Sequence, residues 1–147
     1  MSVAGGCRCG AVRYTLALDR MPKTYACHCR DCQTSSGSAF AQQAPVAEAA
    51  LAVSGPVTIY EQQVDDRVSR QRFCSVCHCR VFNTNTARPG VAIIRAGTFD
   101  ESDRLDVVAH IWTSRKQAWI TIPAGVPQWE RGAEAAAFAA IFSGERG

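Results

Sequence analysis

Three cysteines, Cys27, Cys29 and Cys32, fall within one short stretch, YACHCRDCQTSSGSAF, which runs from Tyr25 to Phe40. Two of them are separated by one residue, and the third follows about a helical turn later. Such a set can converge on one metal ion. Four protein ligands close a zinc site, and three leave a position for water or substrate. Three sulfurs therefore match an open zinc site, and its vacant position suits a soft visitor such as a small-molecule thiol. Bound zinc lowers the pKa of that ligand and so yields a nucleophile near neutral pH. Two other readings stay open here. Cys79 could close the site as a fourth ligand. An iron–sulfur cluster could use cysteines this close, although the spacing departs from familiar ferredoxin patterns.

The remaining cysteines fall into two further groups, Cys7-Arg8-Cys9 and Cys74, Cys77 and Cys79. Cys74-Ser75-Val76-Cys77 can wrap a turn around one ion and supply two thiolates. Cys7 and Cys9 are the natural second pair: in an extended segment, residues i and i+2 project to the same side. Four thiolates would form a closed, structural zinc site that ties the N-terminus to the middle of the chain and contributes folding energy. Two zinc ions per chain are expected. The competing reading is a redox pair or unconnected buried thiols.

Other residues near these groups could do chemistry but have plainer explanations. Gly37 and Ser38 follow the triplet and could line a pocket; a simple turn explains them equally well. Arg30, Arg80 and Lys116 could pair with carboxylates of a ligand, although a solvated surface charge is the commoner role. His28 sits between two candidate ligands, where three thiolates already suffice. His110 alternates with Val108 and Trp112 along an expected strand, which suits a hydrogen-bonded structural histidine better than a proton donor. Trp112, Trp119 and Trp129 read as core or pocket wall.

The elements that must position these residues are mostly strands. In AVRYTLAL, residues 11–18, Val12, Tyr14, Leu16 and Leu18 share one face, and Arg13 and Thr15 share the other. QTSSG, residues 33–37, predicts one helical turn closed by Gly37. SAFAQQAPV, VTIYEQQ, RVSRQRF, RVFNTN, VAIIRAG and DVVAHIW predict strands, with AWITI a weaker candidate. Val64-Asp65-Asp66 is expected to join a hairpin. Pro45, Pro56, Pro89, Pro123 and Pro127 are placed between strands, where proline does little harm. The tail GAEAAAFAAIF predicts a helix over 132–143 with Phe138, Ile141 and Phe142 near one face. Together these predict a mainly β fold of packed antiparallel sheets with short helices and a C-terminal helix. The 147 residues are expected to form a single domain, 1–147.

Composition narrows the function classes. A chain of 147 residues can bury a core without disulfides, and eight cysteines in tight groups are not the spread of a disulfide framework. The N-terminus lacks the basic and apolar segments of a signal peptide, and no run of about 18 apolar residues spans a membrane. A cytoplasmic protein with reduced thiols is expected. Net charge is +3, with Lys23 and Lys116 the two lysines among sixteen basic residues. No block of like charge marks a phosphate-binding tail, so nucleic-acid binding ranks well behind a solvated surface.

GGCRCGAVRY, CHCRDCQTSSGSAF, FCSVCHCRVF, AGTFDE and HIWTSRKQAW, in this order, resemble the glutathione-dependent formaldehyde-activating enzyme family, which includes centromere protein V-like domains. The resemblance covers about residues 5–130. It implies a small zinc-containing β fold with structural zinc on Cys7, Cys9, Cys74 and Cys77. It also implies a second zinc on Cys27, Cys29 and Cys32 that the thiol of glutathione approaches. The implied reaction is of carbon–sulfur lyase type and joins glutathione to formaldehyde or a related small aldehyde, giving S-hydroxymethylglutathione. A zinc-stabilised glutathione carrier, or a protein- or nucleic-acid-binding domain, is the alternative. One departure stands out. Where the family has glycine after the last CxxC, this chain has His78, followed by the extra Cys79. Glycine suits that turn because it takes positive φ cheaply.

Overall fold

The computed structural model describes residues 3–143. The fold is mainly β: the described residues form ten strands in two sheets and two α-helices, and the chain divides into two compact units. One takes Met1–Pro22 and Ala44–Leu105; the other takes Lys23–Gln43 and Asp106–Gly147.

In the first unit, β1 (Val3–Gly6), β2 (Arg13–Leu16) and β5 (Leu51–Ser54) form an antiparallel sheet in the order β1-β2-β5. The alternation expected around β2 is present: Val12, Tyr14 and Leu16 are buried, while Arg13 and Thr15 are exposed. β6 (Val57–Val64), β7 (Arg67–Cys74), β8 (Arg80–Asn85) and β9 (Val91–Arg95) form an antiparallel run in the order β9-β8-β7-β6. β6 and β7 make the expected hairpin, with Val64 opposite Arg67. Val3, Tyr14 and Leu16 from one sheet, and Val12 just before β2, pack with Val81, Phe82, Ala92 and Ile94 from the other to form this unit's core. Tyr14 meets Phe99 edge to face, with centroids 5.7 Å apart. Its hydroxyl shares a 2.9 Å hydrogen bond with Thr98, so the buried phenol keeps a polar partner.

In the second unit, β3 (Thr24–Cys27) pairs antiparallel with the start of β4 (Ala41–Ala47) and parallel with β10 (Val107–Ile111). All four residues of β3 are buried. α1 (Arg30–Ser36) follows β3 directly. It ends at Gly37, whose φ of 67° is the left-handed conformation that glycine adopts without a Cβ clash, and whose N–H donates to the Gln33 carbonyl at 2.9 Å. α2 (Ala135–Ser143) is the expected C-terminal helix. The Glu134 carboxylate accepts the N–H groups of Ala136 and Ala137 at 3.0 and 2.8 Å, partnering otherwise orphaned donors of the first turn. Phe138 and Phe142 both pack edge-on against Tyr25. Burial of a side chain such as Phe138 contributes on the order of 2 kcal/mol.

Three expectations are corrected. AWITI is not a strand: the Ile120 N–H donates to the Gln117 carbonyl in a turn, and Trp119 is 72% exposed instead of lining a core. Pro45 lies inside β4, not between strands. β1, β3 and β5 were not expected from the sequence pattern. No helix among the described residues is long and apolar enough to cross a membrane.

Candidate metal centres

The first centre is built from two turns. β1 ends at Gly6, the Cys7 N–H donates to the Val12 carbonyl at 3.0 Å, and the Gly10 N–H donates to the Cys7 carbonyl at 3.1 Å. Cys7 and Cys9 therefore sit in a turn, not in an extended segment, and the turn brings their sulfurs to the same side. The second turn follows β7. The His78 N–H donates to the Cys74 carbonyl, and the Cys74 N–H donates to the Cys79 carbonyl, both at 2.9 Å.

These turns place the sulfurs of Cys7, Cys9, Cys74 and Cys77 within 4.8 Å of one another. Cys7 and Cys9 are 3.6 Å apart, and Cys9 and Cys74 are 3.8 Å apart. A zinc ion with Zn–S distances of about 2.3 Å puts its tetrahedral sulfurs about 3.8 Å from one another. A disulfide would require about 2.05 Å, and none of the eight cysteines is in a disulfide. Backbone N–H groups point at the sulfurs, Val12 at Cys7 at 3.2 Å, and Val76 and Cys77 at Cys74 at 3.4 and 3.5 Å. Donors aimed at sulfur favour thiolate.

Charge within the cluster is divided. Burial opposes ionisation of Cys7, but the Val12 N–H and the neighbouring thiols draw it down to about 6. The Ala11 N–H favours a Cys9 thiolate, yet desolvation and the other sulfurs push Cys9 up to about 11. Four thiolates this close repel one another unless a cation sits among them, and a divalent metal is the group this donor set fits.

His78 follows Cys77 with a φ of 62°. The position does demand the left-handed conformation, and histidine occupies it where glycine would carry no steric penalty. Cys79 does not join the cluster. Its Sγ donates to the Arg80 carbonyl at 3.6 Å, and burial pushes its thiol up.

The second centre is local. β3 ends at Cys27 and α1 begins at Arg30, so strand end, link and first helical turn carry all three sulfurs, which lie within 4.8 Å of one another. Among the described residues, no fourth cysteine, histidine or carboxylate joins this set. Cys29 Sγ accepts the Cys32 N–H at 3.3 Å. Hydrogen bonds from Cys27 and Cys32 hold Cys29 far below the usual thiol range. The same contacts, with Cys29 first, and then burial, push Cys27 far above it. Sulfurs this close share charge unevenly, and a divalent cation among them would favour thiolate at each.

The residues around the triplet are tied closely. The backbone N–H of His28 donates to the Ile111 carbonyl at 3.0 Å. Its ring is fully buried, with Nε2 2.9 Å from His110 Nδ1. Burial first, and then the charge of His110, lowers His28 to about 4; burial also lowers His110, so the pair is neutral near pH 7. Gln33 is buried on α1. Its Nε2 donates to the carbonyls of His28 and Arg115 at 2.9 and 3.0 Å, and its Oε1 accepts from Arg30 and Gln117 at 3.2 and 3.3 Å. Every hydrogen-bonding position of that amide is filled.

The sequence reading did not single out Gln33, and no local pattern marks a glutamine whose partners are 82 and 84 residues away. Gly37 and Ser38 are exposed just beyond α1, where Gly37 makes the helix stop. Arg30 is exposed beside Cys29. The Lys116 ammonium already donates to the carbonyls of Gln117 and Ile120, and Arg80 donates to Asn83. Trp112 and Trp129 pack on the Tyr25 and Phe138 cluster, as expected of wall residues.

The family model described as glutathione-dependent formaldehyde-activating enzyme matches residues 2–115. No curated protein matches the chain. Among solved structures, the chain is similar to a crystal structure of a Rhodobacter sphaeroides protein, a structural-genomics target, with a TM-score of 0.55 and 17% identity. That match covers 86% of this chain and 98% of the other, and at this identity it speaks to the fold alone.

Proposed function

The chain belongs to the glutathione-dependent formaldehyde-activating enzyme family, and from that premise we propose that it joins the thiol of glutathione to formaldehyde or a related small aldehyde. The product is S-hydroxymethylglutathione, and the reaction is of carbon–sulfur lyase type. In this reading Cys7, Cys9, Cys74 and Cys77 hold a structural zinc ion, and Cys27, Cys29 and Cys32 hold a second. The observation that carries it is the triplet itself: three sulfurs outside any disulfide, within 4.8 Å of one another, and no fourth ligand among the described residues.

When bound at the triplet, zinc supplies a Lewis acid with an open position that lowers the pKa of an incoming thiol. The chemistry is an addition without redox change. The thiol gives up its proton, sulfur attacks the carbonyl carbon, and the carbonyl π pair moves to oxygen, which takes up a proton. What the protein contributes is placement of sulfur against carbon. Arg30, exposed at the start of α1 and braced by Gln33, is the best placed of the considered cations to pair with a glutathione carboxylate. Gly37 and Ser38 line the approach in this reading.

One observation favours a second reading, a thiol carrier that catalyses little. His28 and His110 face each other and are buried, so neither is ready to protonate an alkoxide. Hemithioacetal formation measured with and without zinc-loaded protein separates the two. Acceleration that scales with protein concentration supports the enzyme. The uncatalysed rate together with tight glutathione binding supports the carrier. Salt-sensitive retention of DNA with no response to glutathione overturns both.

A further inference from the structure

His28 lies between two sulfurs of the triplet, and its polar groups show how that short strap is held. The backbone N–H donates to the Ile111 carbonyl at 3.0 Å, and the backbone carbonyl accepts Gln33 Nε2 at 2.9 Å. The ring contributes a third tie, Nε2 to His110 Nδ1 at 2.9 Å. The remaining ring nitrogen, Nδ1, is buried and makes no hydrogen bond among the described residues. A buried N–H without a partner costs more than a bare lone pair. The proton of neutral His28 therefore belongs on Nε2, which donates it to His110 Nδ1. It follows that His110 carries its own proton on Nε2. The two imidazoles lie end to end along this hydrogen bond, with centroids 5.2 Å apart and 23° between planes, and the Phe40 ring lies 5.4 Å from the His28 ring, so the imidazole has little freedom to turn.

We propose that His110 is a positioning residue for the three-sulfur centre, accepting the His28 Nε2–H so that the Cys27–His28–Cys29 strap is locked in the geometry that aims both sulfurs at one point. The inference deepens the metal reading of the triplet and rests on it. Groups beyond the ligands that fix ligand orientation are worth about 10–100-fold in metal affinity at other sites. Neither histidine need touch the metal. Three ligands make fewer bonds than four, so an open centre gains more from ligands already in place.

The test is cobalt(II) titration of the metal-free full-length protein against a competing chelator, followed by thiolate charge-transfer and d–d absorption. The four-sulfur centre in the same chain serves as the internal reference. Wild type should take two cobalt ions per chain. His110→Leu should weaken only the three-sulfur centre, by about 10–100-fold, with altered d–d bands. His110→Asn, which keeps an acceptor near the place of Nδ1, should stay close to wild type. His28→Gln, which keeps a donor near the place of Nε2, should do the same. If His110→Leu does not fold, the Asn and Gln variants decide: loss of cobalt affinity in both overturns the proposal. So does a His110→Leu protein with wild-type affinity and spectrum. A wild-type protein that takes only one cobalt ion, at the four-sulfur centre, overturns the metal reading and this inference together. Two ions with an indifferent His110→Leu overturn this inference alone.

Discussion

The two sulfur centres use the same ligand chemistry in opposite ways. The four-sulfur centre draws Cys7 and Cys9 from one turn and Cys74 and Cys77 from another, with Cys9 and Cys74 65 positions apart in the chain. Cys7 and Cys74 are buried within the core of their unit. The three-sulfur centre is contained in six consecutive residues at a strand-to-helix junction, and it closes no long loop. A metal in the first centre would offset a loop-closure cost that the second never incurs. On the proposed function, stability and ligand capture would fall to different places. The long-range centre should govern whether its unit folds, and the local one what the protein binds.

The strongest way to break this comparison is Cys74→Ser. Losing a ligand from the four-sulfur centre should cost about 5 kcal/mol or more, enough to abolish cooperative unfolding in a protein whose total stability is on the order of 5–15 kcal/mol. A thermal melt like wild type would show that the centre is not structural. Next comes Cys29→Ser, for which metal analysis should find about one zinc ion per chain instead of two. Glutathione binding by calorimetry should vanish, while the melting temperature moves by only a few degrees. Equal loss of stability in the two variants would erase the distinction.

A finer pair concerns the left-handed residue that follows each sulfur-bearing turn, His78 with φ 62° and Gly37 with φ 67°. His78→Gly should stabilise by roughly 1 kcal/mol, and Gly37→Ala should destabilise by a similar amount, both read from denaturant midpoints. Metal stoichiometry should be unchanged in each. The smallest effect is expected from the exposed Arg13–Asp100 pair, which has no part in either centre. Hydrogen bonding and charge from Arg13 hold the Asp100 carboxyl below its ordinary 3.8. A depressed carboxylate stabilises the fold fully above its unfolded value, and that contribution is lost as the pH falls through the folded value. Because both side chains are about half exposed, Asp100→Asn should cost roughly 0.5 kcal/mol at neutral pH and nothing in strong acid.

Much of the grouping of the sulfurs is legible in the sequence because ligand spacing is a local property. Cys74 and Cys77, the triplet and the Gly37 stop could all be seen in short windows. The alternation around Tyr14 and the 57–74 hairpin were equally local. β3 was not, because all four of its residues are buried and no polar face remains to produce alternation. AWITI misled for the converse reason: its apolar residues suggested a strand, but the chain turns there and Trp119 faces solvent. The extended reading of Cys7 and Cys9 expects the wrong backbone, yet their sulfurs do lie close to those of Cys74 and Cys77, since a turn and an extended segment can both present two sulfurs to one side. The His28–His110 pair joins positions 82 residues apart, a contact that no window along the chain contains.

The Cys29 sulfur has a second occupation that sets a hazard for the triplet. It is the N-cap of α1, accepting the Cys32 N–H at 3.3 Å. Oxidation or alkylation at that atom would therefore remove a metal ligand and fray the turn that carries Cys32 in a single event. Damage to one thiol would disarm two, so the centre should fail abruptly under oxidative stress instead of fading by degrees.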